Sequence, residues 1–209
     1  RKGIPCALGR ARFPVVRTKS REGDSPAVFV CGEGCTAVKQ SFYLITGVMA
    51  SGKSTTAQAL AERLPRCVHL RGDVFRRMIV TGRVEMADPP DPEALQQLRL
   101  RYRLAAQAAR GYWEAGFSVV LQDNYYGQDL LEILAQLEGI PVRVVVLCPT
   151  QEAVQAREAS RSKTGYVGFA PGPLLQAFRR ETPRLGYWLD NSALTVEESV
   201  EKILGSFPA

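Results

Sequence analysis

Residues 47–54 read Gly47-Val48-Met49-Ala50-Ser51-Gly52-Lys53-Ser54, the complete spacing G-x-x-x-x-G-K-[ST]. An apolar, β-prone run (Phe42-Tyr43-Leu44-Ile45-Thr46) precedes it, and Ala57, Leu60, Ala61 and Leu64 follow at helical spacing. A strand, a glycine loop and a helix in that order form a phosphate-binding cradle, and they commit this part of the chain to an α/β layer. Glycines let backbone N–H groups curl around a polyphosphate without Cβ clashes, and the helix start adds its positive end. Gly47, Ala50, Ser51, Gly52, Lys53, Ser54 and Thr55 are therefore the candidate nucleotide-binding residues. In such a loop Lys53 reaches the β- and γ-phosphates and the Ser54 hydroxyl ligates Mg²⁺.

From Ser41 onward the strand and helix patterns alternate. Near-continuous apolar runs predict strands at Phe42–Gly47, Cys67–Arg71, Phe117–Gln122, Val142–Cys148 and Tyr187–Asn191. Such runs suit strands covered on both faces of a parallel sheet. Periodicity predicts helices over 53–64, 74–80, 92–115, 128–138, 150–162, 172–182 and 196–204. Asp91-Pro92 supplies an N-cap with Pro at the first helical position. Thr195-Val196-Glu197-Glu198 reads as a capping box. Alternation of this kind implies right-handed crossovers and an open, doubly wound sheet.

Residues 1–40 differ from the rest. They carry eight Lys/Arg against three Asp/Glu, so +5 of the chain's formal +6 lies there. Glycines and prolines interrupt them throughout, and we expect a basic, weakly ordered extension ahead of a domain at 41–209. Five scattered cysteines do not form a disulfide framework, and with a single His a zinc site at Cys31 and Cys35 lacks ligands. No apolar stretch reaches the length of a membrane span, and the N-terminal segment lacks a secretory apolar core. The expected setting is the cytoplasm, without a membrane partner.

Three further groups carry candidate chemistry. Arg71-Gly72-Asp73-Val74-Phe75-Arg76-Arg77 follows the second strand. In an open parallel sheet ligands sit beyond the carboxyl ends of the strands, so Asp73 is placed to orient an acceptor hydroxyl. Arg76 and Arg77, one turn onward, are candidates to grip that acceptor, and the bland reading is a helix cap with surface charges. Val119-Val120-Leu121-Gln122-Asp123 resembles a Walker B strand end. Asp123 would hold Mg²⁺ through water or face the acceptor. Tyr125 and Tyr126, just beyond it, read equally as an aromatic wall for the substrate or as core or rim packing. Arg157 and Arg161 share one face of a predicted helix ahead of a glycine- and proline-rich run, as a phosphate-neutralising lid would.

Together these residues resemble the small P-loop kinases related to chloramphenicol phosphotransferase, gluconate kinase, shikimate kinase and adenylylsulfate kinase. The likeness rests on Gly47–Ser54, the Arg71-to-Arg76 run, Gln122-Asp123 and Arg157 with Arg161, and it covers roughly residues 41–204. It is nearest to the chloramphenicol-phosphotransferase-like enzymes of bacteria. The resemblance implies a five-stranded parallel sheet in the order 2-3-1-4-5, with ATP and Mg²⁺ as cosubstrates. It also implies an acceptor hydroxyl beside Asp73 and lid arginines at Arg157 and Arg161. The expected activity is ATP-dependent phosphorylation of a small hydroxyl-bearing molecule. The Arg-Gly-Asp-Val-Phe-Arg run also resembles 5′-hydroxyl polynucleotide kinases, which makes nucleic acid the alternative acceptor. A nucleotide-dependent switch is the third reading, although the Asn-Lys-x-Asp sequence that reads guanine is absent.

Overall fold

The computed structural model describes residues 39–87, 89–160 and 171–207. The expected extension at 1–40 therefore lies outside the described residues except for its last two positions, as does most of the expected lid.

Five strands form one sheet: β1 (Phe42–Gly47), β2 (Cys67–Arg71), β3 (Ser118–Gln122), β4 (Val142–Leu147) and β5 (Tyr187–Leu189). Their order is β2-β3-β1-β4-β5, and every pairing is parallel. The central position of β1 follows from its composition, since all six of its residues are buried. Side chains alternate across the sheet. Phe42 and Leu44 enter one core layer, whereas Tyr43 and Ile45 enter the other.

Helices α1 (Lys53–Arg63) and α7 (Val196–Ser206) cover the second layer through Ala57, Leu60, Val200 and Ile203. The first layer is covered by α3 (Pro92–Glu114), α4 (Gln128–Gln136) and α6 (Pro171–Glu181), with Tyr102, Ala105, Ile133 and Phe178 among the contacts. Short helices α2 (Asp73–Arg77) and α5 (Gln151–Ala159) follow β2 and β4. This is the doubly wound 2-3-1-4-5 sheet expected from the sequence. No helix among the described residues is long and apolar enough to cross a membrane.

The predicted helix starts are explained by their caps. The Asp91 carboxylate accepts the Glu93 N–H at 2.7 Å ahead of Pro92. At α7 the Thr195 hydroxyl accepts the Glu198 N–H at 3.1 Å, and the Glu198 carboxylate accepts the Thr195 N–H at 2.8 Å. Several ends are shorter than periodicity suggests, among them α5, which closes at Ala159 rather than at residue 162, and α4, which closes at Gln136 rather than at residue 138. Helix α2 stops at Arg77 rather than at residue 80, because the chain leaves to form the wall of a cleft. Strand β5 stops at Leu189 rather than at Asn191, because the Asn191 side chain turns to the carbonyl of Ser51 at 2.9 Å.

Candidate active site

The loop between β1 and α1 is built by close backbone approaches. A Cβ on Gly47 would lie 2.4 Å from the Leu147 carbonyl oxygen, so the turn out of β1 beside β4 accepts only glycine. Gly52 has φ 93° and Ala50 has φ 60°, the left-handed turns that bring successive N–H groups to one concave side. Lys53 Nζ donates to the carbonyls of Gly47 at 2.8 Å and Val48 at 2.7 Å, and the side chain is buried. Ser51 Oγ is buried with no hydrogen-bond partner among the described residues. Ser54 is half-buried and Thr55 exposed, and both face a cleft of about 890 Å³.

This loop fits a polyphosphate. A positive helix end and the Lys53 side chain line this cleft, the donor set that a polyphosphate requires, and the buried Ser51 hydroxyl lies in the same loop. Among the described residues no group of three or more His, Cys, Asp or Glu could hold a metal. A cation bound here would complete its shell with phosphate oxygens and water, the habit of Mg²⁺. Ser54, and Asp123 across the cleft, line it and are the residues that would hold such a cation.

The opposite wall comes from the ends of β2 and β3. The Gly72 N–H donates to the Gln122 carbonyl at 3.0 Å, which carries Asp73 to the mouth of the cleft. Arg77 is ion-paired with Asp73 across one turn of α2, and Arg71 Nε lies 3.8 Å from the same carboxylate. Arg77 thus lies against the candidate base, and Arg76 turns the other way to pair with Glu85.

Asp123 is buried. Its Oδ1 accepts from Arg101 Nη2 at 2.6 Å and from the Asn124 N–H at 2.8 Å. Its Oδ2 has no partner among the described residues and packs on Gly72, where a Cβ would come within 2.0 Å of it. Burial pushes the Asp123 carboxyl above its ordinary pKa, and Arg101 works against that shift. For Arg101, burial disfavours the charge, but Asp123 together with Tyr102, Tyr125 and Asp73 outweighs it and raises the guanidinium's pKa. Both directions follow from one desolvated pair whose carboxylate retains one unsatisfied oxygen.

Tyr125 requires a correction. It is not a substrate wall: the residue is fully buried, with its ring centroid 4.8 Å from that of Tyr102. Its N–H and carbonyl both bond the Thr46 hydroxyl, at 3.0 and 2.9 Å, which turns the side chain into the core. The neighbouring Tyr126 is half-buried and packs its ring edge-on against Phe178. It lines a second cleft of about 580 Å³, together with Arg76, Arg101 and Asp129. Met49 and Asn124 line both clefts and mark where they meet.

Arg157 sits on the first cleft's wall. Its Nη2 donates to the Asn191 carbonyl at 2.6 Å and its Nη1 to the Ser51 carbonyl at 3.3 Å. The guanidinium ties the phosphate loop to the chain after β5. Arg161 lies outside the described residues.

Arg101 and Asn191 escaped sequence reasoning. A signal for Arg101 was present, because Ala94, Leu98, Arg101 and Ala105 fall at helical spacing on the core-facing stripe of α3. A charge on such a stripe demands a buried partner. Asn191 had no comparable local signal, since its role depends on a loop 140 residues away.

Comparison with known proteins agrees with this geometry. The AAA domain family matches over residues 43–184. No curated protein matches the sequence. Among solved structures, the chain is similar to an unliganded sugar kinase from Janibacter sp. HTCC2649, at 21% identity and TM-score 0.58, covering 80% of this chain and 94% of that one. It is also similar to the Deinococcus radiodurans tunicamycin resistance protein, at 19% identity and TM-score 0.60, covering 80% and 95%. A chain of the Pnkp1/Rnl/Hen1 RNA repair complex aligns at 18% identity and TM-score 0.53, covering 68% of this chain and 43% of that one. Likeness at these identities speaks to the fold. With the family match spanning the loop, both acidic strand ends and Arg157, the chain belongs to the AAA domain family and has the P-loop kinase fold.

Proposed function

We propose that the protein is an ATP-dependent phosphotransferase that moves the γ-phosphoryl group to a hydroxyl of a small molecule. The observation that carries this reading is the meeting of two clefts at Met49 and Asn124. One holds the phosphate loop, and the other is large enough for a small acceptor.

ATP supplies the phosphoryl group, and Mg²⁺, when bound, would screen its charge. Lys53 exchanges the carbonyls of Gly47 and Val48 for phosphate oxygens, and Ser54 contributes its hydroxyl to the metal. Asp73 accepts the hydrogen bond of the acceptor hydroxyl and takes its proton as the new O–P bond forms and the bond to the leaving β-phosphate oxygen breaks. Arg77 holds the Asp73 carboxylate in place. Arg101 fixes Asp123, which would help to hold the metal. Arg157 holds the loop against Asn191 and adds positive charge on the nucleotide side. Arg76 borders the acceptor.

The test is mass spectrometry of a metabolite extract incubated with ATP, Mg²⁺ and protein, with Lys53→Ala as the control. A metabolite that gains one phosphate only with the unaltered protein supports the reading and identifies the acceptor. Asp73→Asn should keep nucleotide binding and lose about 10²-fold or more of transfer. Near-full turnover by Asp73→Asn would move the base role to Asp123. No phosphorylated metabolite, with nucleotide binding intact, would overturn the small-molecule reading.

The structural likeness to an RNA repair chain, together with the basic residues 1–40, favours a 5′-hydroxyl polynucleotide acceptor as the second reading. Salt-sensitive binding of an oligonucleotide would support it.

A further inference from the structure

The second cleft has a definite electrical character. Its walls carry four charged side chains among the described residues: Arg76, Arg101, Glu85 and Asp129. Both arginines are committed. Arg76 is paired with Glu85, and Arg101 is held by Asp123, with side chains 11% and 4% exposed. No Lys or Arg forms an ion pair with Asp129 among the described residues. Among the described residues the cleft therefore offers an approaching ligand one half-buried carboxylate without an ion-pair partner, and each of its two arginines is ion-paired. Burial, and then the neighbouring Glu132, hold the Asp129 carboxyl above its ordinary pKa, against the opposing pull of Tyr102, Arg99 and Arg101.

The rest of the wall is apolar. Val84, Met86, Leu95, Leu98, Tyr126 and Leu174 supply most of it. The loop carrying Val84 is pinned to α3: Gln97 Oε1 accepts the Val84 N–H at 3.0 Å, and Gln97 Nε2 donates to the Gly82 carbonyl at 2.8 Å. The apolar wall is thus a fixed surface rather than a loop passing by.

Resting on the phosphotransferase reading, we infer that the acceptor is an amphipathic alcohol, uncharged or carrying an amine, whose apolar body lies on the wall around Leu95 and Leu98 and whose donor groups other than the reacting hydroxyl face Asp129. An anionic acceptor is selected against. A carboxylate or phosphate entering here would lose its hydration, meet Asp129, and find each arginine already neutralised. Dislodging Asp123 from Arg101 to bind it would strand a buried carboxylate. A polynucleotide end is disfavoured for the same reason.

Three compounds that share one benzylic hydroxyl and differ in charge test this: 2-amino-1-phenylethanol, 1-phenylethane-1,2-diol and mandelate. Binding to the full chain is measured by equilibrium dialysis, and ADP formation with each is measured in parallel. The amine and the diol should bind at least about tenfold more tightly than mandelate. Asp129→Asn should abolish the amine's advantage over the diol and strengthen mandelate. Equal or tighter binding of mandelate, or no binding of any of the three, overturns the inference. The two readouts separate the claims. The expected binding order without ADP formation keeps the ligand class and rejects phosphotransfer. ADP formation that favours mandelate rejects the class and keeps phosphotransfer.

Discussion

Arg101→Leu is the most informative single perturbation, because the loss can be worked out at a site where solvent cannot soften it. The Arg101–Asp123 pair is 2.6 Å long, with side chains 11% and 4% exposed. Leucine keeps much of the apolar stem and leaves Asp123 buried without its cation. Removing one partner of such a pair costs about 3–5 kcal/mol. There is also a ceiling, since Asp123 can escape by taking a proton. With an unfolded pKa near 3.9 and 1.36 kcal/mol per unit, protonation at pH 7 costs about 4 kcal/mol. The folded pKa lies above the unfolded one, so the folded state binds more protons between the two. The variant's deficit must therefore shrink as pH falls, to about 1.5 kcal/mol at pH 5. Urea unfolding followed by tryptophan fluorescence at both pH values measures this. Adding Asp123→Asn to Arg101→Leu should recover most of the loss at pH 7. A deficit below about 1 kcal/mol at pH 7, or one unchanged at pH 5, would refute the buried-pair account.

Two glycine substitutions should act in opposite directions. Gly72→Ala places a Cβ 2.0 Å from Asp123 Oδ2 and should destabilise by about 1–3 kcal/mol, whereas Gly111→Ala, inside α3 with nothing within 4 Å, should stabilise by about 0.5–1 kcal/mol. Urea midpoints check both, and a neutral Gly72→Ala would show that the strand ends are looser than described. Thr195→Ala removes the capping hydroxyl of α7 and should cost about 1 kcal/mol in the same assay. Burial pushes the Cys67 thiol up to about 11. Its alkylation by iodoacetamide, read by site-resolved mass spectrometry, should be on the order of 10²-fold slower at pH 8 than that of a free cysteine and rise about tenfold per pH unit. Labelling at the free rate would mean that the thiol is open to water.

Much of the architecture was legible because the signals are local. Apolar runs marked the five strands, and Asp91-Pro92 and Thr195-to-Glu198 marked helix starts to within a residue. The glycine-lysine-serine loop was legible for the same reason: its shape is a property of eight consecutive residues. Asp73 and Asp123 could be assigned to the ligand face from parallel-sheet topology, since both close a strand at its carboxyl end.

What stayed hidden was every choice between two directions for one side chain. Tyr125 and Tyr126 are chemically alike and adjacent, and the Thr46 hydroxyl on another strand sends the first into the core and leaves the second at the cleft. Arg76 and Arg77 are likewise adjacent and identical, yet one pairs with Glu85 and the other with Asp73. The electrical state of the second cleft depends on Arg101 reaching Asp123, residues on a helix and a strand end that only packing brings together. Periodicity along a chain reports which face a residue occupies. Pairing of buried charges reports what lies across from it, and that is settled when the helices close on the sheet.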